Sequence, residues 1–496
     1  MNWELTILFC CVVASILFLL RRKRRLPTGN LPPGPPGWPV FGNMFDLGSM
    51  PYKTLAELRK DYGPVVWLRI GSINTMVLLT ADAAAELFKN HDANFAERTI
   101  TEVMRAYDFN KAAVSLAPYG QYWRVMKRVM TVEMLVQKKI NETTDIRLRC
   151  ITDMVRWIGK EATDATVSAA GIHVARFVFL ASFNMLGNLM LSRDLVSPES
   201  AEGSEFFSAM VELMEWSGHP NIVDLFPWLK WLDPQGLRRK ADEGMGRTMK
   251  IVGKFVAERL KEEGKKDFLQ VLLESEGNGS DKISDHDLNI LIMEVFLAGS
   301  ETTSSTTEWA MVELLSHPEI MAKAKNELAQ VFGKGHTFDE NHMENLPYLQ
   351  AVIKETLRLH PPIPFLVPRR AMQDVDFMGY QIPKNTQVFV NAWAIGRDPA
   401  TWDDPLSFKP ERFLGSKIDY KGQHYELIPF GAGRRMCAGI PLANRMLHIV
   451  LGSLLHEFDW EVDEAGRKGL ADSRERIGIT VRKLVPLKAK PTHCSM

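Results

Sequence analysis

At 496 residues, 46% apolar and 24% charged, the chain has the composition of a globular protein with a large core. Its formal net charge of zero excludes a global pull toward nucleic acid, so any basic surface has to be local. The five cysteines, Cys10, Cys11, Cys150, Cys437 and Cys494, form no CxxC pair, which argues against a disulfide framework or structural zinc and for a reduced compartment.

Residues 5–20 (LTILFCCVVASILFLL) are uncharged and mostly apolar, and Met1–Trp3 extends the predicted helix to about 30 Å at roughly 1.5 Å per residue. Five basic residues, 21–25, follow at once. A cleaved signal peptide carries its positive charge first; here it comes last. Residues 1–25 therefore read as a single-pass membrane anchor with a basic stop-transfer run, and the positive-inside rule leaves the remaining chain cytosolic. The sequons at Asn141 and Asn278 would then stay unmodified.

Residues 26–43, with prolines at 32, 33, 35, 36 and 39, predict a stiff extended hinge. From 44 to 496 a single globular domain is expected. VVWLRIG and TMVLLT, flanking residues 72–74, read as a hairpin, and Thr80 caps a helix through ADAAAELFKNH. From about 120 to 360 apolar residues recur at helical spacing, with a polar break at residues 274–286. Cys150 reads as a small apolar residue on a helix, and Cys494 as part of a frayed tail. Beyond Pro361 short strands appear (VDFMGY, TQVFVNAW), then proline-containing turns, then a helix through PLANRMLHIVLGSLLHEF. The fold class is mainly α with small β-sheets.

Four stretches carry chemistry. In the apolar helix beginning near Leu288, AGSETT (residues 298–303) places glycine, acid and hydroxyls where a buried helix tolerates them poorly; glycine alone costs about 1 kcal/mol against alanine. Glu294 shares the face of Ala298 and Thr302 and is expected to pair with an arginine of a preceding loop, with Arg105 as the candidate. KETLR (354–358) sets Glu355 and Arg358 three apart on one helical face, and PERF (410–413) supplies Arg412. FGAGRRMCAG (430–439) surrounds Cys437 with glycines that let the backbone aim N–H groups at sulfur and with Arg434 and Arg435, which favour a thiolate. On its own this is either a buried thiol in a turn or a thiolate offered to a metal.

The full pattern Phe-x-x-Gly-x-Arg-x-Cys-x-Gly, met at Phe430, Gly433, Arg435, Cys437 and Gly439, resembles the cysteine-ligand loop of the cytochrome P-450 monooxygenases. The resemblance covers essentially the whole chain after the anchor. It implies the cytochrome P-450 fold and haem b, with Cys437 as axial iron ligand and Phe430 in the ligand loop. It also implies a buried Glu355–Arg358 pair joined by a bidentate Arg412, and a central helix kinked where dioxygen sits. Thr302 would then act at the dioxygen site, and Glu301 would relay protons from solvent. Trp123, Arg124, Lys127, Arg98, Arg369 and Arg435 become the haem-binding set. Lys127 stands where arginine is usual, so the choice between Arg124 and Lys127 for a propionate stays open. Arg124, Lys127, Arg128, Arg434 and Arg445 would form a basic face for NADPH–cytochrome P-450 reductase, the electron donor.

LPPGPPGWPVFGNMFDLG, FLAGSETTSSTTEWAM, VNAWAIGRDPATWDDPLSFKPERFLGS and ELIPFGAGRRMCAG resemble plant microsomal family 76, most of all its subfamily A. That implies the endoplasmic reticulum membrane and oxidation of a small hydrophobic metabolite, a monoterpenoid or iridoid, in the manner of nepetalactol oxidised to 7-deoxyloganetic acid. Another terpenoid or an alkaloid is the alternative, and a reductase-independent isomerase or dehydratase, or a non-catalytic haem sensor, the alternatives of another class. By family position the pocket takes residues 101–116 and 206–216, together with Phe296, Leu297, Ala298, Ile363, Phe365, Val367 and Ile477. Their apolar character suits a hydrophobic ligand.

Overall fold

The computed structural model describes Trp3 and residues 30–163, 171–275, 283–333 and 337–494. The expected anchor at residues 5–20, its basic run and the Asn278 sequon lie outside the described residues. The chain divides into two compact units. One takes Met1–Thr99, Ile222–Pro234 and Phe365–Ile395, and the other Ile100–Asn221, Gln235–Pro364 and Gly396–Met496.

In the first unit, residues 30–37 have no regular structure, as their prolines require. Val65–Ile70 and Ile73–Leu78 form the expected hairpin, with Ile70 opposite Ile73 across a two-residue turn in which Gly71 has φ 58°. They belong to a five-stranded sheet ordered Val65–Ile70, Ile73–Leu78, Gln387–Val390, Arg369–Arg370, Glu97–Arg98. Only the Ile73–Leu78 and Gln387–Val390 pair is parallel. Val66, Leu68, Ile70 and Val77 bury one face of the sheet against Leu55 and Leu79. Thr80 caps the helix Ala81–Asn90, its Oγ1 accepting from the Ala83 N–H at 3.3 Å.

The second unit is built on the helix Asp285–Ser316. It starts three residues before the apolar pattern does, because Ser284 caps it by accepting from the Asp287 N–H at 3.1 Å. Against it pack Val174–Leu191, Leu237–Arg259, Pro347–Leu359 and Ile440–Glu457. Val174–Leu191 is long and apolar enough to cross a membrane, but it is buried in this unit as a core helix. The central helix is continuous through residues 298–303, the turn where the resemblance implies a kink. Gly299 serves close packing there: a Cβ would lie 2.7 Å from Leu186 Cδ1 on the neighbouring helix.

Cys150 lies buried on the helix Thr144–Thr163, and burial pushes its thiol up to about 12. The frayed tail predicted at Cys494 is not found. Lys488–His493 is the middle strand of an antiparallel sheet between Ile172–His173 and Phe458–Glu461. The Cys494 N–H still donates to the Glu457 carbonyl at 3.0 Å, so backbone pairing orders the tail.

Candidate active site

The thiol loop closes on itself. Gly431 and Gly433 adopt φ 71° and 68°, a left-handed conformation that glycine reaches without strain. The Cys437 N–H donates to the Phe430 carbonyl at 3.0 Å, and the Gly439 N–H donates to Cys437 Sγ at 3.3 Å. Phe430 tilts against Tyr420 with ring centroids 5.3 Å apart. Cys437 has accessible surface although protein surrounds it on all sides, as expected for a side chain facing an internal gap. Burial pushes its thiol up, against the Gly439 N–H and the Lys127 charge, while Glu294 adds to the rise.

The helix Gln121–Val129 packs beside this loop. The Lys127 ammonium donates to the Met436 carbonyl at 2.6 Å, whereas Arg124 is exposed, 5.2 Å from the Tyr119 ring. Of the two, Lys127 is therefore the cation at the thiol. Arg435 is buried and lies 4.4 Å over the Trp123 ring, donating to the carbonyls of Val114 at 3.3 Å and Ala117 at 2.7 Å. The Trp123 indole N–H also donates to the Val114 carbonyl, at 3.0 Å.

Glu294 completes this hub and corrects an expectation. Its carboxylate accepts the Val114 and Ser115 N–H groups, both at 2.6 Å, while Arg105 pairs with Glu102 at 3.2 Å. A helix-borne carboxylate thus substitutes for backbone partners that an irregular segment lacks. Burial pushes Glu294 up, against the donors of Ser115 and Val114 and the Lys127 charge. The Val114 peptide joins Glu294 on one side to Trp123 and Arg435 on the other.

On the central helix, Ala298 is exposed and Leu297, Gly299 and Thr302 are partly exposed, although the positions on either side are buried. This patch of accessibility marks an internal gap along the AGSETT turn. Thr302 presents its hydroxyl there and donates to the Ala298 carbonyl at 2.6 Å. Phe296 does not line the gap: it is fully buried, 4.7 Å from the Phe183 ring, and belongs to the core. Ile363 and Ile477 are half-buried.

Glu301 departs most from expectation. It is 1% exposed and has no route to solvent of its own. Arg482 holds it through Nε to Oε1 and through Nη2 to Oε2 at 2.6 Å, and Arg482 Nη2 also donates to Ser304 Oγ at 2.7 Å. The residue expected to relay protons is thus held in a buried, bidentate ion pair. Arg482 was not singled out from the sequence, although an arginine in the apolar run IGITVRKLV signals a buried acidic partner.

Glu355 and Arg358 lie on the helix Pro347–Leu359 and are fully buried. Arg358, rather than Arg412, is the bidentate partner: its Nε and Nη2 each donate to the Glu355 carboxylate at 2.7 Å, and Arg412 adds one contact at 3.1 Å. Arg358 also donates to the carbonyls of Gly396, Pro405 and Ser407, and the Lys409 N–H donates to Glu355 at 2.8 Å. Every charge in the cluster has a partner.

Four predicted residues lie in the first unit. Arg98 is buried and donates to the Val367 carbonyl at 2.6 Å. Arg369 is ion-paired with Asp92 at 2.8 Å, a partner the sequence reading missed. Phe365 stacks on Phe389 at 4.6 Å beside the core of that unit.

Among the described residues no cluster of three His, Cys, Asp or Glu side chains could hold a bare metal ion. A lone inward-facing thiol with a waiting N–H donor suits a metal that brings its own equatorial ligands. The residues around Cys437 therefore fit haem. The family model for cytochrome P450 matches residues 32–487. The chain belongs to the cytochrome P450 family. This P450 is 54% identical to cytochrome P450 76A2 of Solanum melongena, with 99% of both chains covered. It is 51% identical to iridoid oxidase of Catharanthus roseus, over 96% of this chain and 95% of that one. Geraniol 8-hydroxylase of the same plant is 40% identical, with 98% of each covered. A zebra fish cytochrome P450 solved with progesterone shares the fold, with a TM-score of 0.75 at 24% identity over 90% of this chain and 99% of that one. The chain is a haem-thiolate monooxygenase of family 76, subfamily A character, mainly helical with small sheets, that takes electrons from NADPH through cytochrome P450 reductase.

Proposed function

We propose that this P450 oxidises a monoterpenoid or iridoid, with Cys437 as the residue that would hold the haem iron. The observation that carries the substrate class is the 51% identity to an iridoid oxidase over nearly the full length of both chains. Apolar groups at the AGSETT gap, Leu297 and Ala298, together with Ile363 and Ile477, support a hydrophobic substrate with few polar handles. The haem, when bound, supplies the reduction of dioxygen and the transfer of one oxygen atom to a C–H bond, the other leaving as water with two electrons from NADPH.

The protein's own groups have distinct tasks. Gly439 N–H and Lys127 favour the thiolate form of Cys437. Glu294 fixes the Val114 peptide, which orients Trp123 and Arg435. Thr302 holds a hydroxyl at the gap, the one polar side chain on that turn with access to it. Lys127, Arg435 and Trp123 are the proposed partners of the haem periphery. Glu355, Arg358 and Arg412 brace the segment leading to the thiol loop. Residues 1–25 are proposed to anchor the enzyme in the endoplasmic reticulum membrane, on the support of an apolar run ended by five basic residues.

The test is microsomes holding the full chain and a reductase, fed a panel of monoterpenoids, iridoids, larger terpenoids and alkaloids, with products identified by mass. The expected result is NADPH-dependent gain of oxygen on a monoterpenoid or iridoid. Turnover of alkaloids alone would overturn the substrate class, and product without NADPH would overturn the reaction.

A further inference from the structure

One face of the central helix from Glu301 onward is bonded to the C-terminal segment, residues 475–487. Glu301 takes Arg482 on both carboxylate oxygens, and Ser304 takes the same guanidinium. Ser305 Oγ donates to the Val481 carbonyl at 3.0 Å, and Glu308 accepts the Leu487 N–H at 2.8 Å. Residues 301, 304, 305 and 308 are three and four apart, so they form a single stripe. All four are buried.

The same segment is a hairpin, Glu475–Arg476 pairing with Arg482–Lys483, and its loop touches two other walls. The Ile479 N–H donates to the Met214 carbonyl at 3.0 Å on the helix Ala201–Gly218. The Val481 N–H donates to the Pro362 carbonyl at 2.8 Å, next to Ile363. At Gly218 a Cβ would fall 2.2 Å from the Gly478 carbonyl carbon, so loop and helix meet backbone to backbone. The hairpin thus connects three stretches proposed to line the pocket, and its one buried ionic attachment to the AGSETT turn is Arg482.

We propose that Arg482 is a positioning residue: by closing on Glu301 it locks the loop at residues 477–480 onto the helical turn that carries Thr302. Glu301 serves as a fixed buried anion in this latch. The latch sets where Ile477 stands relative to Thr302, and so which substrate carbon is presented. This rests on the monooxygenase site proposed above, with Thr302 at the gap and Ile477 among the proposed pocket residues. A buried carboxylate whose arginine is removed is strongly destabilised, whereas removing both charges is far milder. That asymmetry separates a latch from two independent side chains.

The test uses the full chain in microsomes or nanodiscs with reductase, comparing wild type, Arg482→Met, Arg482→Lys, Glu301→Gln and the double variant Arg482→Met/Glu301→Gln. Holoenzyme is counted from the carbon monoxide difference band, and hydrogen exchange is read in peptides spanning residues 475–487. Peroxide released per NADPH and the product ratio on an accepted substrate complete the set. Arg482→Met should speed exchange at residues 477–481 by about tenfold or more, shift the product ratio and raise peroxide release. Arg482→Lys should recover part of each, and the double variant should be closer to wild type than Arg482→Met alone. Should Arg482→Met not retain haem, Arg482→Lys and the double variant carry the same comparison. Unchanged exchange and product ratio in Arg482→Met, or strictly additive effects in the double variant, would overturn the latch. Loss of coupling in Glu301→Gln with Arg482→Met unaffected would restore Glu301 as a proton carrier. Exchange needs no substrate, so a panel in which no terpenoid is accepted sinks the substrate class and leaves the latch to be judged by exchange.

Discussion

Glu294 reaches two backbone donors and, through them, the thiol loop, so its replacement separates electrostatics from hydrogen bonding. Glu294→Ala leaves the Val114 and Ser115 N–H groups without their acceptor, at a cost of about 1–3 kcal/mol per buried donor. Haem per polypeptide should fall with it. Glu294→Gln keeps one acceptor and should retain haem at a lower melting temperature, both measured on purified protein. Thr302 acts differently. Thr302→Ala should keep the carbon monoxide band and the melting temperature near wild type while releasing more peroxide per NADPH consumed. Unchanged coupling would remove Thr302 from a role at the dioxygen site.

At the scale of elements, the brace around Glu355 and the hub around Val114 are made of buried charges that meet carbonyls and amides from distant segments. Arg358→Ala strands a fully buried carboxylate and is expected to destabilise by about 3–5 kcal/mol, read as lost holoenzyme in expression. Arg412→Ala removes one contact to Glu355 at 3.1 Å and bonds to the carbonyls of Asp403, Asp404 and Ser407, but it leaves Glu355 held by Arg358 and should cost less. A larger loss for Arg412 than for Arg358 would contradict the observed division of labour. Here the limits of the sequence are visible. The hairpin at residues 65–78, the Thr80 cap and the Glu355–Arg358 spacing were legible because period, capping chemistry and i,i+3 geometry are local. The partners of Glu301, Glu294 and Arg369 were not, because Arg482, the Val114–Ser115 amides and Asp92 lie far away in sequence, up to 277 residues for Asp92. Cys494 was misjudged for the same reason: a strand partner across the sheet cannot be read from the tail itself.

For the whole molecule, buried histidines link stability to acid. Burial holds His448 and His173 down to about 4, with nearby Arg482, Arg176 and Lys488 adding to the effect at His173. Unfolded, each binds a proton near its ordinary 6.5, so between roughly pH 6.5 and 4 the unfolded chain holds the extra proton and stability falls as pH falls. The loss amounts to up to about 3 kcal/mol for each residue. His448→Leu should narrow the difference in melting temperature between pH 7 and pH 5, and an unchanged difference would show that His448 is not the group responsible. The gap along the AGSETT turn and the thiol beside it in the loop of residues 430–439 support the proposal that Cys437 would hold the haem iron. The most direct measurement is the reduced carbon monoxide difference spectrum of the full-length protein and of Cys437→Ala. The wild type should give the strongly red-shifted Soret band of thiolate-ligated haem, and the variant should lose it. A variant that keeps the band would contradict the assignment of Cys437.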